Sequence, residues 1–249
     1  MNEIKGMPNR FQGVEVEPEA LPGSLDGFSE LLAKTVRQWK KDGLKVAWFK
    51  IPLSHAFLIP TLVEEGCAFH HSSNDYLMLT LMLANDAFVP LYATHYIGAG
   101  GVVINSQNEL LVVCERFRGG RAPYYKLPGG SLQPEEHLAE GVVREVLEET
   151  GVSTCFDGLI CFRHWHGYRY GKSDIYFVCR LKPLDADIKM QATEIEECFW
   201  MPLGTYMSSE NVSEFNKLIV KAAVDHQGLK ETWVDGYGDP EHYEFFMPE

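Results

Sequence analysis

The spacing of apolar residues over the first ninety or so positions predicts a small α/β unit. Residues 24–43 carry apolar side chains at helical intervals, with Ser24 as the N-cap and Gly43 just past the end, and they predict an amphipathic helix. The other elements expected in this unit are a strand at 44–51, a helix at 54–65, and strands at 67–70 and 75–83. Pro90 and the polar residues around it indicate a boundary, so we expect domains at 1–92 and 93–249.

The pattern after this boundary predicts a second α/β domain. Its expected elements are strands at 96–104, 109–116, 159–164, 173–181 and 197–202, and helices at 136–150 and 212–226. The segment 232–249 is rich in aromatic residues, which disfavours a free tail. We expect this tail to pack on a neighbouring domain or subunit.

Net charge and composition argue against several classes of protein function. The net charge of -13 argues against a general nucleic-acid binder, which needs a basic face. The longest apolar run, 76–84, is far shorter than the ~20 residues that cross a bilayer, and residues 1–10 lack the apolar core of a secretory signal. We therefore expect a cytoplasmic protein without membrane association. The six cysteines form no CxxC pair and are interpreted as reduced core residues.

Three glutamates on the helix predicted at 136–150 are candidates for metal binding. Glu145, Glu148 and Glu149 stand at i, i+3 and i+4, so they share one face of the helix. Neighbouring apolar residues, among them Val142 and Val146, would dock the helix on a sheet and leave the carboxylates at its edge. Clustered carboxylates repel one another unless cations lie between them, and Mg²⁺ prefers such oxygen ligands. The alternative is a solvated acidic face.

The wider spacing around these glutamates resembles a known motif. Residues 130–152 read GSLQPEEHLAEGVVREVLEETGV. The positions that match the Nudix box are Gly130, Glu136, Arg144, Glu145, Val146, Glu148, Glu149, Gly151 and Val152. The chain thus resembles the Nudix hydrolase family. This resemblance implies an α/β/α sandwich with a mixed sheet over about residues 94–230. The smaller N-terminal α/β domain resembles part of an acetyltransferase-like fold.

The resemblance also implies a role for each matching residue. The implied metal ligands are Glu136, Glu145, Glu148 and Glu149, and the implied cofactor is Mg²⁺, with Mn²⁺ as the alternative. Glu136 can reach the metal only from the loop before the helix, because nine residues separate it from Glu145. Arg144 would orient Glu145 through a charge-assisted hydrogen bond. The glycines expected to shape the loop and to end the helix are Gly129, Gly130 and Gly151.

The implied reaction is attack of a metal-activated water on the phosphorus of a diphosphate linkage. Two residues are candidates for the general base. Glu145 lies on the helix, and Glu194 lies in a segment where the family often has an extra glutamate. Glu196 and Glu197 are weaker candidates, and all three loop glutamates have the alternative of an acidic surface loop.

Cationic and aromatic residues near the box are candidates for substrate binding. They are Arg116, Arg118, Arg121, Tyr125 and Trp165. Alternatively the loop at 114–126 only adds solubility and Trp165 fills core. The stretch 171–184, with an N-terminal domain before the box, is similar to the fibroblast-growth-factor-antisense-type Nudix proteins and the plant ADP-ribose/NADH pyrophosphatases. This similarity implies a small-molecule partner, a nucleoside diphosphate derivative of the ADP-ribose or NADH type.

Two other functions compete with hydrolysis. A Nudix fold can serve as a catalytically silent ligand sensor or regulatory binding protein, although such proteins usually lose glutamates of the box. An acyltransferase would use the N-terminal unit, which lacks the glycine-rich pyrophosphate loop that acetyl-coenzyme A needs. We interpret that unit as a scaffold or as the contact of a homodimer. His164 and His166 have no second cluster at metal-ligand spacing, so the sequence does not predict a zinc site.

Overall fold

The computed structural model describes residues 3–117, 119 and 122–248. It divides into two compact units, Met1–Thr94 and His95–Glu249, which are described separately. Over the described residues, no helix combines the length and the apolar character that crossing a membrane requires.

The first unit is a five-stranded sheet packed against helices. Its elements are β1 (Met7–Asn9), β2 (Gly13–Val16), α1 (Phe28–Lys41), β3 (Val46–Pro52), α2 (Ile59–Glu64), β4 (Ala68–Ser72) and β5 (Tyr76–Met82). The strand order is β1-β2-β3-β5-β4. Leu32 and Val36 of α1 join Phe49 of β3 and Leu79 of β5 in one hydrophobic core. Burial of this helix face on the sheet holds the unit together.

Two predictions for this unit are wrong in detail. The first helix begins at Phe28 and not at residue 24, because Gly27, with φ 69°, is the N-cap and Ser24 makes no cap. The helix expected at 54–65 is a 3₁₀ helix, Leu53–Leu58, followed by the short α2. Pro60 explains the break: it has no backbone N–H and its ring fits only the first turn of an α-helix.

The second unit begins with β6 (His95–Val103). The elements that follow are β7 (Glu109–Glu115), β8 (Gly129–Ser131), α3 (Leu138–Thr150), β9 (Thr154–Trp165), β10 (Ser173–Pro183), β11 (Ile195–Pro202), α4 (Leu203–Ser208), α5 (Glu214–Asp225), β12 (Lys230–Glu231) and β13 (Phe246–Met247). One sheet has the order β8-β6-β10-β9, in which β6 and β10 are parallel and the other pairs antiparallel. β7 and β11 form a separate antiparallel pair.

Helices cover both faces of this mixed sheet. On one face α3 buries Val142 and Val146 in a core shared with β6 and β10. On the other face α5 buries Val220 and Ala223 with residues of β6, β7 and β10. The expected α/β/α sandwich is therefore confirmed, and α3 is fixed along one side with its polar face turned away from the sheet.

Several expectations for this unit need correction. The helix expected at 136–150 begins at Leu138, so Glu136 lies in the preceding loop. β9 is twelve residues long, whereas six were predicted. Register shifts against β10 interrupt the regular alternation along β9, so the apolar pattern indicated only part of the strand. The short strand β8 was not predicted. All six cysteines are free, in agreement with the reduced interpretation.

The C-terminal tail packs on residues of its own unit. Its expected contact with a neighbouring domain or subunit stays a prediction. β13 pairs with β12, and the Phe246 ring lies 5.4 Å from the ring of Phe156 on β9. The contact between Phe156 and Phe246 joins residues about ninety positions apart, and hydrophobic periodicity carries no information about it.

Candidate active site

The helix α3 presents its glutamates because its opposite face is buried. Val142 and Val146 are fully buried, Glu148 is exposed, and Glu149 lies at the sheet edge with 7% of its surface exposed. Gly151 ends the helix with φ 75°, and its N–H donates to the Leu147 carbonyl. This left-handed cap is the one predicted from the sequence.

Arg144 is the centre of a charged cluster. Its Nε and Nη2 atoms donate to the two carboxylate oxygens of Glu136 at 2.6 and 2.9 Å. Its Nη1 donates to Glu145 and to Glu148, both at 3.0 Å. The expected hydrogen bond from Arg144 to Glu145 is present, but the bidentate partner of Arg144 is Glu136. These charge-assisted bonds bring three of the four predicted metal ligands to one guanidinium.

The loop before α3 places Glu136 on the same side as Glu145. Its carboxylate accepts from the Gln133 N–H at 2.8 Å, and the hydrogen bond from Arg144 lowers the pKa of Glu136. A Cβ at Gly141 would lie 2.9 Å from a Glu136 carboxylate oxygen. A larger residue at that position of α3 would therefore clash with the Leu132 side chain and crowd this carboxylate. The sequence analysis did not single out Gly141, whose role depends on the path of the loop.

Glu149 is a buried carboxylate at the base of the cluster. Its Oε2 accepts from the Gly129 N–H at 2.8 Å. Burial raises the pKa of Glu149 to about 7, although nearby Lys126 and this hydrogen bond oppose the shift. Burial likewise raises the pKa of Glu145. Desolvated carboxylates gain most from a nearby cation, which favours their ionised form.

Gly129 and Gly130, which were expected in a loop, lie in the short strand β8 and fit closely against β6 and these acids. Gly129 has φ 149° and lies against the backbone of β6. A Cβ at Gly130 would overlap the Glu145 carboxylate, at 2.6 Å from its Cδ atom. The absence of a side chain lets β8 approach β6 at Gly129 and approach Glu145 at Gly130.

The donors of the cluster suit a hard divalent cation, since all are carboxylate oxygens. Over the described residues, no three His, Cys, Asp or Glu groups converge on one point in a way that could hold a metal ion. The guanidinium of Arg144 is the cation that joins Glu136, Glu145 and Glu148. Burial raises the pKa of Glu145 and of Glu149. A divalent cation bound beside these carboxylates would offset this cost of burial, so the two residues suit such a cation.

A cleft of about 440 Å³ opens beside the glycine loop. Its lining combines cationic and aromatic side chains that can hold phosphate oxygens and a planar ring. These residues are Tyr124, Lys126, Arg163, Tyr168, Arg169, Tyr176 and Phe215. Tyr124 is held by Asn216 of α5, whose amide donates to its hydroxyl at 3.2 Å. The cleft thus lies between the loop before the box, β9–β10 and α5.

Arg163 is the best-positioned cation in this cleft. Its Nη2 donates to the buried Asp174 at 2.5 Å, and its guanidinium lies 5.4 Å from the Tyr176 ring centroid. Its Nε is buried and, among the described residues, has no hydrogen-bond partner. The predicted residue Trp165 is not part of the cleft lining; it lies against Arg163 with its ring centroid 5.5 Å from the guanidinium.

The other predicted substrate residues lie elsewhere. Tyr125 packs against Phe199 and donates its hydroxyl to Glu197 at 3.1 Å, so Tyr124 takes the place in the cleft that was expected for Tyr125. Arg116 is exposed and is not among the residues that line the cleft. Arg118 and Arg121 fall outside the described residues. Neighbours of the predicted residues line the cleft, because strand alternation and the loop path decide which side chains face it.

Glu194 lies on a turn at the start of β11. Its carbonyl accepts from the Arg116 N–H at 2.8 Å, which ties the turn to the end of β7. Glu194 and Glu149 line the same small pocket, together with Phe117 and Ile195. Of the two weaker candidates, Glu197 binds the Tyr125 hydroxyl. Glu194 is therefore the loop glutamate that shares a pocket with a glutamate of α3.

An α/β/α sandwich that presents a glutamate-rich helix beside a cationic cleft is suited to phosphate-containing substrates. A family model described as NUDIX domain matches residues 94–222, and one described as Nudix hydrolase domain matches residues 4–83. The chain belongs to the Nudix hydrolase family, whose members hydrolyse nucleoside diphosphate derivatives and generally use divalent metal ions. The family and the enzyme class expected from the sequence are confirmed.

Curated relatives match over most of the chain. Nudix hydrolase 8 of Arabidopsis thaliana is 37% identical over 80% of this chain, which spans 55% of that relative's length. Nudix hydrolase 2 of Arabidopsis thaliana is 42% identical, with 77% of this chain and 69% of the relative covered. The human protein nucleoside diphosphate-linked moiety X motif 6 is 33% identical, with 88% and 71% covered.

Proposed function

We propose that this chain hydrolyses the diphosphate linkage of a nucleoside diphosphate derivative of the ADP-ribose or NADH type, with Mg²⁺ as the metal and Mn²⁺ as the alternative. The observation that carries the proposal is the joining of Glu136, Glu145 and Glu148 through Arg144, beside the buried Glu149. The cleft next to this cluster supports an anionic substrate with planar rings.

Each residue of the cluster has a defined task in this proposal. Glu136, Glu145, Glu148 and Glu149 would hold the divalent ion, and the chemistry that such an ion would supply is activation of a water and neutralisation of charge on the leaving phosphate. Arg144 keeps Glu136 and Glu145 in place, since its planar fork fixes both at once. Glu145 or Glu194 accepts the proton of the attacking water as general base.

The cleft residues would bind the substrate. Arg163 lines the cleft and Asp174 holds its guanidinium in place, which suits the binding of a phosphate oxygen. Tyr124 and Phe215 supply rings on which a base can stack. Lys126 adds a second positive charge, paired with Glu115 at 2.5 Å. Three cations against the acids Glu115 and Asp174 give the cleft lining a net positive charge in a protein of net charge -13, which favours an anionic substrate there.

No observation favours the silent ligand sensor, because every glutamate of the box is present. A panel of ADP-ribose, NADH, NAD, nucleotide sugars, coenzyme A and nucleoside triphosphates, each with Mg²⁺ or Mn²⁺, tests the substrate class. We expect metal-dependent release of AMP from ADP-ribose or NADH. Binding of these compounds without turnover would contradict the proposal and support the sensor.

A variant of a cleft residue tests whether the cleft binds the substrate. Replacement of Arg163 by Gln should raise KM for the preferred compound about tenfold or more, because one charged hydrogen bond to phosphate is lost. Lys221→Gln removes a positive charge from α5 outside the cleft and should leave KM unchanged. An equal effect of the two variants would show that only net charge matters.

A further inference from the structure

The N-terminus of α3 is capped by a residue of the C-terminal tail. His137 is the N-cap, in extended conformation, and its side chain makes no cap hydrogen bond. Instead, the two carboxylate oxygens of Glu244 accept from the N–H groups of Leu138 and Ala139 at 2.8 and 2.9 Å. A carboxylate more than a hundred residues away along the chain thus caps the helix in place of the Ser or Asp side chain that is usual at the N-cap.

The tail that carries Glu244 is fixed on both sides. β13 pairs with β12, and Phe246 packs on Phe156 of β9. Upstream, the His137 side chain and the Pro240 carbonyl are 2.9 Å apart; Nε2 must donate here, because a carbonyl only accepts. The tail therefore links β9 to the first turn of α3, and Glu244 lies between these two attachments.

This cap bears on the metal-binding glutamates because it defines where α3 begins. The first N–H groups of a helix have no partner within the helix, and a negative charge there is also favoured by the helix dipole. Glu136 comes two residues before Leu138, and its distance from Glu145 depends on the loop turning into helix at His137. Loss of the cap would let the first turn fray and release Glu136 from its place.

We propose that Glu244 is a positioning residue for the metal-binding cluster. It fixes the start of α3, and thereby the spacing between Glu136 in the loop and the glutamates on the helix. The proposal rests on the proposed function in one respect, the assignment of these glutamates as metal ligands. It requires no assumption about the substrate.

Calorimetric titration of the full chain with Mn²⁺ tests this proposal without any substrate. For Glu244→Ala we expect the Kd for Mn²⁺ to rise about fivefold, the factor that corresponds to about 1 kcal/mol for a lost cap. Glu244→Gln keeps an acceptor oxygen and should raise Kd about twofold. The matched control is Glu241→Gln. Glu241 is an exposed residue of the same tail, and its described hydrogen bond is to Asp239 and not to α3, so this variant should bind Mn²⁺ like the wild type.

Hydrogen exchange of the same variants reports on the cap itself. In Glu244→Ala the amides of Leu138 and Ala139 should exchange about tenfold faster than in the wild type, because they lose their acceptor. In Glu241→Gln the same two amides should exchange at the wild-type rate. Faster exchange with an unchanged Kd would overturn the proposal, because the cap would then be structural only. If Glu244→Ala does not fold, an unchanged Kd in Glu244→Gln overturns it. A wild type that binds no Mn²⁺ would contradict the proposed function and this inference together.

Discussion

At the scale of single residues, Arg144 determines how the carboxylates of the site are arranged. It forms four hydrogen bonds to three glutamates. A lysine would keep the charge but has no planar fork, so it cannot bind Glu136 through two nitrogens and hold Glu145 as well. The arrangement therefore depends on the shape of the guanidinium and not only on its charge.

Arg144→Lys should consequently lower both stability and activity. We expect the free energy of unfolding to fall by about 1–2 kcal/mol, since charge-assisted bonds are lost from a partly buried site. Urea denaturation measures this change. An unaltered denaturation midpoint together with full metal-dependent activity would show that positive charge alone suffices at this position.

Gly130→Ala separates the geometry of the site from the stability of the fold. The added Cβ would overlap the flexible Glu145 carboxylate, which can move aside at little cost. We expect the melting temperature to stay close to that of the wild type while activity falls about 100-fold, as for a catalytic group displaced by about 1 Å. A large drop in melting temperature would mean instead that the loop itself is disrupted.

The sequence indicated part of this residue-scale arrangement. The spacing of Glu145, Glu148 and Glu149 on one helix face follows from helical geometry alone. The place of Glu136 does not, because the helix start depends on a cap by Glu244 in the distant tail. The exchange of Tyr125 for Tyr124 in the cleft has a similar cause: the loop path selects which of two adjacent rings faces outward.

At the scale of elements, β9 and β10 form the platform from which Arg163 reaches the cleft. Asp157 of β9 binds Arg180 and Lys182 of β10, and also Lys230 beside the tail hairpin. Burial alone would raise the pKa of Asp157, but hydrogen bonds from Lys182 and Arg180 outweigh it and lower the pKa to about 2. The ionised carboxylate therefore stabilises this pair of strands.

The stabilisation by Asp157 should depend on pH in a defined direction. Its pKa is lowered from 3.8 to about 2, so its contribution of about 2 kcal/mol is complete above pH 4 and is lost as pH falls through 2. Asp157→Asn should lower the free energy of unfolding by this amount at pH 7 and at pH 5, and by less at pH 3. Denaturant titrations at the three pH values measure the difference; a difference that grows on acidification would contradict this explanation.

Helices and central strands were largely predictable, and their irregular ends were not. Alternating and helical apolar patterns located β3, β5, β6, β10 and α5 within a few residues. Pro60 indicates the break before α2, since a proline fits the first turn of an α-helix but not its interior. The shifts in register between β9 and β10 arise from tertiary pairing, which a single strand's pattern does not encode.

At the scale of the whole molecule, the second unit contains every residue assigned to the site. Its sandwich buries both faces of the sheet and leaves Ser131 of β8, the outer face of α3 and the cleft accessible. The resemblance of residues 130–152 to the Nudix box was enough to indicate this architecture. The return of the tail onto α3 could not be predicted in this way, because about a hundred residues separate the partners along the chain.

The central claim is that the glutamates of α3 support metal-dependent hydrolysis of a diphosphate linkage. The most direct test is the initial rate of AMP release from ADP-ribose and from NADH over a range of Mg²⁺ concentrations, for the wild type, Glu148→Gln and Glu140→Gln. Glu140 is an exposed glutamate on the same helix and controls for the loss of one charge. We predict Mg²⁺-dependent release for the wild type and Glu140→Gln, and a loss of at least about 100-fold for Glu148→Gln. Equal rates for the two variants, or release that does not depend on a divalent ion, would contradict the account.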